Sequence, residues 1–164
     1  MSKNGIKYEQ HVNIPIILGA GNEVKFGRHA TDVYYVYDNV EIKYKILEQG
    51  AFKRYMRQYL TPQERNLIPD CAVLDEENKR LFIFEKKFQT CKGSCDEKIQ
   101  TGLFKKWFYE RQFINFKITY VYILNNWFKK KKYKPEMKYL ELNKIPVLFS
   151  EDENFKNDLI KLLK

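Results

Sequence analysis

Asp70, Glu85 and Lys87 are the residues whose types and spacing point to chemistry. Pro69–Asp75 and Arg80–Gln89 are almost wholly apolar up to their polar ends, as strands buried on both faces are. The polar turn Glu76-Glu77-Asn78-Lys79 joins them into a hairpin. With that turn centred between Glu77 and Asn78, the simplest antiparallel register sets Asp70 opposite Glu85. Side chains directly opposed in this way have Cβ atoms about 5 Å apart. Two carboxylates at such a distance repel, and a hairpin built for stability alone avoids them. A divalent cation between them removes the repulsion. Mg²⁺ takes one or two carboxylates, waters and substrate phosphate oxygens, which matches this supply.

The second arm alternates faces: Leu81, Ile83, Glu85, Lys87 and Gln89 on one, Phe82, Phe84, Lys86 and Phe88 on the other. Glu85, Lys87 and Gln89 therefore share a face with Asp70 where the apolar sheet ends. A cation held by the two carboxylates would lower the pKa of a bound water. Lys87 could stabilise the resulting hydroxide or the charge on a phosphorane, and Gln89 could orient the water or a phosphate. Polar residues at the rim of a sheet are the plain alternative. The buried hairpin, the pairing and a helix following directly favour the chemical reading.

Ile68-Pro69-Asp70 followed by Phe84-Glu85-Lys86-Lys87 resembles the PD-(D/E)XK nuclease signature found among type II restriction endonucleases. Lys87-Phe88-Gln89 through Gly93-Ser94-Cys95-Asp96-Glu97-Lys98-Ile99-Gln100-Thr101 resembles the strand-to-helix stretch of those enzymes. The resemblance covers about residues 45–125. It implies a restriction-endonuclease-like α/β core, a central mixed β-sheet flanked by α-helices. It implies Mg²⁺-dependent hydrolysis of double-stranded DNA to 5′-phosphate ends, with Mn²⁺ as a substitute, by a homodimer. Carried over, Asp70 and Glu85 are metal ligands and Lys87 the catalytic lysine. Many members add a glutamate on the helix before the Asp strand; Glu48 is the candidate, with Glu9 and Glu41 competing.

The elements that must position these residues are partly readable. Val33–Tyr37 and Val40–Ile46 form a hairpin about Asp38-Asn39, and Glu48–Leu60 reads as a helix ended by Thr61-Pro62. Its stripe is Phe52, Tyr55, Met56 and Tyr59, with Lys53, Arg54 and Arg57 outside. A long helix is expected from Ser94 to about Asn115, with Ser94 and Glu97 as a capping box and Ile99, Leu103 and Trp107 on its apolar face. Its N-terminal amides beside the site, with Lys92, Ser94 and Lys98, would suit a phosphate. Lys117–Leu124 and Ile145–Phe149 read as strands and Asp152–Leu163 as a closing helix. Residues 1–31 read as a loop or arm that orders on a ligand; their Gly-Ala-Gly lacks the rest of a dinucleotide fingerprint. The whole chain reads as one domain, with no repeat and no linker.

The 164 residues suit that single domain, and 44% apolar content is enough for a core. The net charge of +9 raises polyanion binding without proving it, since Lys-, Tyr- and Phe-rich composition also follows from AT-rich coding. Lys129, Lys130, Lys131 and Lys132 form the densest cluster, a candidate DNA-backbone patch with Trp127 and Phe128 beside it. Cys71, Cys91 and Cys95 lack paired zinc spacing, and His11 and His29 are isolated. Free thiols, no signal peptide and no membrane-length apolar run point to the cytoplasm. A structure-selective nuclease and a non-catalytic nucleic-acid-binding domain are the alternatives to a restriction enzyme.

Overall fold

β-Branched and aromatic runs recur along the chain, and they pair into a single sheet. The computed structural model describes residues 12–20, 22–25, 32–38, 41–59, 67–91 and 95–164. Within them seven strands lie side by side in chain order. β1 (Asn22–Lys25), β2 (Asp32–Asp38), β3 (Glu41–Glu48), β4 (Cys71–Asp75) and β5 (Arg80–Lys87) are antiparallel in succession. β6 (Lys117–Leu124) and β7 (Val147–Phe149) continue parallel to β5. Parallel steps need long returns. The helices α3 (Cys95–Gln100) and α4 (Gly102–Gln112) supply the first and α5 (Lys134–Leu142) the second. α1 (Ile14–Ile17) precedes β1, α2 (Gln49–Met56) follows β3, and α6 (Phe155–Leu163) follows β7. The fold is α/β, a mixed sheet flanked by helices.

The sheet is covered on both sides, which explains why β4 is buried at every residue. On one face Leu47, Ala72, Leu74, Leu81, Ile83, Tyr120 and Tyr122 cluster with Phe52 and Met56 of α2, Phe108 and Tyr109 of α4 and Leu140 of α5. On the other, Tyr44, Ile46, Cys71, Val73, Phe82, Phe84 and Val121 cluster with Ile14 of α1 and Phe155, Leu159 and Leu163 of α6. Phe113, just past α4, is completely buried. Its ring meets Phe52, Tyr55, Tyr59 and Phe116 at centroid distances of 4.8–6.3 Å. Among the described residues no helix is long and apolar enough to cross a membrane.

The β4–β5 register is the one expected: Cys71 pairs with Phe84 and Asp75 with Arg80. Asp75 organises the turn between the two strands. Its carboxylate accepts from the Asn78 backbone N–H at 3.0 Å and from Arg80 at 2.6 and 2.9 Å. Burial alone would push this carboxyl up, but those bonds, the Asn78 amide and the Arg80 charge hold it below the usual carboxylate range. The folded pKa is therefore below the unfolded value of about 3.9. The stabilisation is complete above that value and is lost as pH falls through the folded one. Asp75→Asn is expected to cost ~2–3 kcal/mol at neutral pH. Urea unfolding of both proteins should show the gap narrowing in acid.

Several expected elements are corrected. The helix foreseen from Ser94 to about Asn115 is two helices broken at Thr101, and the second ends at Gln112. Thr101 turns its hydroxyl onto the Lys98 carbonyl at 2.8 Å. Gly102 then comes so close to the sheet that a Cβ there would stand 2.8 Å from the Tyr122 ring. The break rotates the stripe. Ile99 is buried as expected, but Leu103 and Trp107 are 38% and 51% exposed, and Phe108 is buried in their place. Residues 12–31 are not all loop, since α1 and the edge strand β1 lie there; α1 is capped by the Asn13 side chain on the Ile16 N–H at 3.1 Å. β2 and β3 meet at Asp38 and Glu41, with a bulge between Val36 and Tyr37. α2 stops at Met56, followed by a turn, rather than running to Leu60. α6 begins at Phe155 rather than Asp152, and α5 has no counterpart among the expected elements. Residues 1–11, Thr61-Pro62, Asn39, Gly21, Gly27 and the 92–94 segment lie outside the described residues.

Candidate functional site

The chain gathers its polar chemistry at one end of the sheet. β3 ends at Glu48, β4 starts after Asp70, and β5 and β6 end together where Lys87 pairs with Leu124. Just beyond, the Asn125 side chain takes the Gln89 N–H at 3.1 Å and gives its own N–H to the Gln89 carbonyl at 2.9 Å. Strand ends of this kind are where open α/β sheets place ligands.

Asp70 is one residue short of the β4 ladder. Its Oδ2 accepts the Lys86 backbone N–H at 2.7 Å, which fixes the carboxylate beside Glu85. The Lys87 ammonium lies 2.7 Å from Glu85 Oε1, 3.1 Å from the Lys86 carbonyl and 3.9 Å from Asp70 Oδ2. A cation thus stands among two carboxylates and a peptide oxygen. Glu85 and Lys87 are only 10% and 13% exposed, and Asp70 is 27% exposed.

A second ammonium completes the group. Lys105, from α4, reaches the same Glu85 Oε1 at 2.8 Å. The two carboxyls are driven apart in acidity. Burial raises Asp70, Lys87 pulls it back and Glu85 pushes it further, leaving it above its ordinary value. Burial also works to raise Glu85, but Lys87 and Lys105 outweigh it and hold it low. Opposed shifts in a close pair of acids are a recurrent mark of functional sites.

Tyrosines floor the site. Tyr109 and Tyr120 stack 6.2 Å apart, and Tyr120 meets Tyr122 edge-on at 5.4 Å. Burial, then the charge of Glu85, pushes the phenols of Tyr109 and Tyr120 far up, so both stay neutral at physiological pH. Tyr109 donates to the Leu67 carbonyl at 3.1 Å, tying α4 to the segment that leads into Asp70. Tyr122 donates to the Lys98 carbonyl at 3.1 Å and so holds α3 to the sheet.

The donor set suits a hard divalent ion. Asp70, Glu85 and the Lys86 carbonyl offer oxygen only, around a point that already attracts positive charge. Side chains alone would not form a cage: among the described residues no three of His, Cys, Asp and Glu come together to hold a metal. Mg²⁺, which keeps several waters, needs no such cage.

The other expected residues fall into place as follows. Gln89 is buried past the end of β5, with its main chain clamped by Asn125. Glu48 lies at the same sheet end, paired with Cys71. Strand alternation places it on the face of Tyr44 and Ile46, opposite that of Asp70 and Glu85. Glu41 is exposed at the far end of β3. Glu9, His11, His29, Lys92 and Ser94 lie outside the described residues, as does the whole segment 92–94 that leads into the six-residue helix α3. Lys98 is exposed on it. Cys71 is buried, its thiol pushed up to about 12 by burial, whereas Cys91 is exposed; both are free.

The lysine run lies after β6, at the same sheet end, and is folded onto aromatics rather than splayed. Lys129 pairs with Asp152 and lies 4.8 Å over Phe149. Lys130 is 3.1 Å over the Trp127 ring, and Lys132 is 4.3 Å over Tyr133. Trp127 gives its N–H to the Tyr133 hydroxyl at 2.7 Å, and Phe128 is fully buried. Phe128 is therefore closed to stacking on a base, whereas Trp127 is partly exposed with Lys130 over its ring. Lys131 is exposed.

Lys105 and the tyrosine floor were the parts missed by sequence reasoning. Their signal was present: Gly102, Lys105, Tyr109 and Gln112 recur at helical spacing, and a lysine within a buried stripe needs an acid to meet. Comparison of the chain with protein-family models, with curated proteins and with solved structures gave no match.

Proposed function

We propose that the chain is a Mg²⁺-dependent endodeoxyribonuclease with a restriction-endonuclease-like core, acting as a sequence-specific type II enzyme on double-stranded DNA. One observation carries the reading. Asp70, Glu85 and the Lys86 carbonyl converge on one point of one hairpin, which the ammonium of Lys87, two residues past Glu85, occupies. A structural ion pair needs only one acid and one base; two acids and a peptide oxygen about one point suit a divalent ion.

The ion would supply an acidified water and neutralise charge on a phosphate oxygen. Asp70 and Glu85 would hold it with the Lys86 carbonyl. Lys87 orients the attacking water and steadies the negative charge that grows as the P–O bond to the 3′ oxygen breaks, leaving 5′-phosphate ends. The exposed cations at this sheet end, Lys98 and Lys131 among them, supply backbone contacts. Cutting both strands calls for two copies, so the working form is a homodimer, Mn²⁺ substitutes for Mg²⁺, and the chain works in the cytoplasm.

The test is incubation with a large phage DNA in Mg²⁺, with and without chelator, followed by sequencing of the ends. Discrete chelator-sensitive fragments with one flanking sequence are expected. Cleavage confined to branched or damaged DNA would keep the chemistry and change the substrate to a structure-selective one. Salt-sensitive binding with no cleavage of any DNA in Mg²⁺ or Mn²⁺ would overturn the reading.

A further inference from the structure

Glu85 Oε1 receives two ammonium groups, and the scheme above uses only one of them. Lys87 is held by Glu85, by the Lys86 carbonyl and by the charge of Asp70. Among the described residues, Glu85 is the sole acceptor of Lys105. Its position is nonetheless built. The tight approach of Gly102 to Tyr122 seats α4 on the sheet, and Tyr109, one turn beyond Lys105, anchors it to Leu67. The Lys105 side chain is 24% exposed, so its ammonium can turn outward without unpacking the helix.

Charge counting says when it would turn. Two carboxylates and two ammoniums make the site neutral. A divalent ion held by Glu85, Asp70 and the Lys86 carbonyl would add two positive charges where the Lys87 ammonium now stands. Lys87 must then shift toward the attacking water, and Lys105, with no other acceptor among the described residues, must leave Glu85. The phosphodiester brings one negative charge and its pentacovalent transition state two, at the rim where Lys105 emerges.

We propose that Lys105 is the resident counter-ion that the metal displaces from Glu85, and that the displaced ammonium then binds a non-bridging oxygen of the substrate phosphate. This rests on the metal reading above. Lys105 is thus both a brake on metal binding in the free protein and a phosphate ligand in the complex. No proton or bond changes hands in the exchange; one cation replaces another on a carboxylate.

The experiment separates the two claims. Mn²⁺ binding to the full chain without DNA is measured by electron paramagnetic resonance for the wild type, Lys105→Met and Asp70→Ala, with Lys105→Gln as a second variant should Met impair folding. Removing the competitor should tighten Mn²⁺ roughly tenfold, as expected for loss of one charge-assisted contact. Unchanged or weaker Mn²⁺ binding, with Asp70→Ala still abolishing it, overturns the proposal and leaves the metal site intact. Failure of the wild type to bind Mn²⁺ takes down both readings. Duplex binding is then followed in Ca²⁺ over a salt series. Lys105→Met should weaken it and reduce the salt slope by about one. An unaltered slope overturns the phosphate contact and leaves Lys105 as a structural counter-ion.

Discussion

Asp70→Asn is expected to lower Mg²⁺-supported DNA cleavage by ~10³-fold or more, about 4 kcal/mol of barrier, while the folded structure persists. The asymmetry follows from the two jobs of this side chain. Its Oδ2 accepts the Lys86 N–H, and an amide oxygen can do the same. Burial, with Glu85 adding to it, outweighs the attraction of Lys87 and raises the Asp70 pKa, so the negative charge does not stabilise the fold. Removing the charge therefore costs the metal and little else, with stability shifted by no more than about 1 kcal/mol. Single-turnover cleavage beside a thermal melt reads both quantities. Cutting at the wild-type rate by a folded Asp70→Asn protein would remove the metal from the mechanism.

Phe113→Ala should be the most damaging core truncation, at ~3–5 kcal/mol. The ring is wholly buried and shares contacts with α2, the turn after it and the loop into β6 through Phe52, Tyr59 and Phe116. No neighbour can collapse into the space without moving another ring. A domain of this size would lose roughly 10 °C in melting temperature. Trp107→Ala is the control: a larger side chain, half exposed, that should cost under about 1 kcal/mol. Urea denaturation of the two variants decides, and equal losses would show that α4 presents a different face.

The legibility of the fold in the sequence follows the physics of each element. β4, β5 and their turn are local, and turn position alone sets the pairing, so the Asp70–Glu85 relation could be read directly. β6 was legible because Lys117–Leu124 is a continuous run of β-formers. The site's fourth member, Lys105, was marked only by its helical spacing with Gly102, Tyr109 and Gln112. Its place depends on the helix break at Thr101 and on the contact of Gly102 with Tyr122, which is a tertiary contact with no local mark. The same break misled the periodicity: an unbroken helix would bury Leu103 and Trp107 with Ile99, whereas two helices carry separate faces. Glu48 was a sound guess by position along the chain and falls on the other side of the sheet by parity. The lysine run was read as a DNA-backbone patch with Trp127 and Phe128 beside it, and spacing does not reveal that Lys130 lies over Trp127 and Lys132 over Tyr133.

The clamp of Asn125 on Gln89 has a consequence for motion. One side-chain amide supplies the acceptor and donor that another strand residue would, so β5 and β6 remain joined a step past their last ladder pair. Strand ends normally fray, and amides there exchange with solvent through small fluctuations. The Gln89 amide is held by a buried group rooted in the neighbouring strand, so it can exchange only when that whole corner breathes. Its exchange rate is a built-in clock for how often the carboxylate pair opens to water.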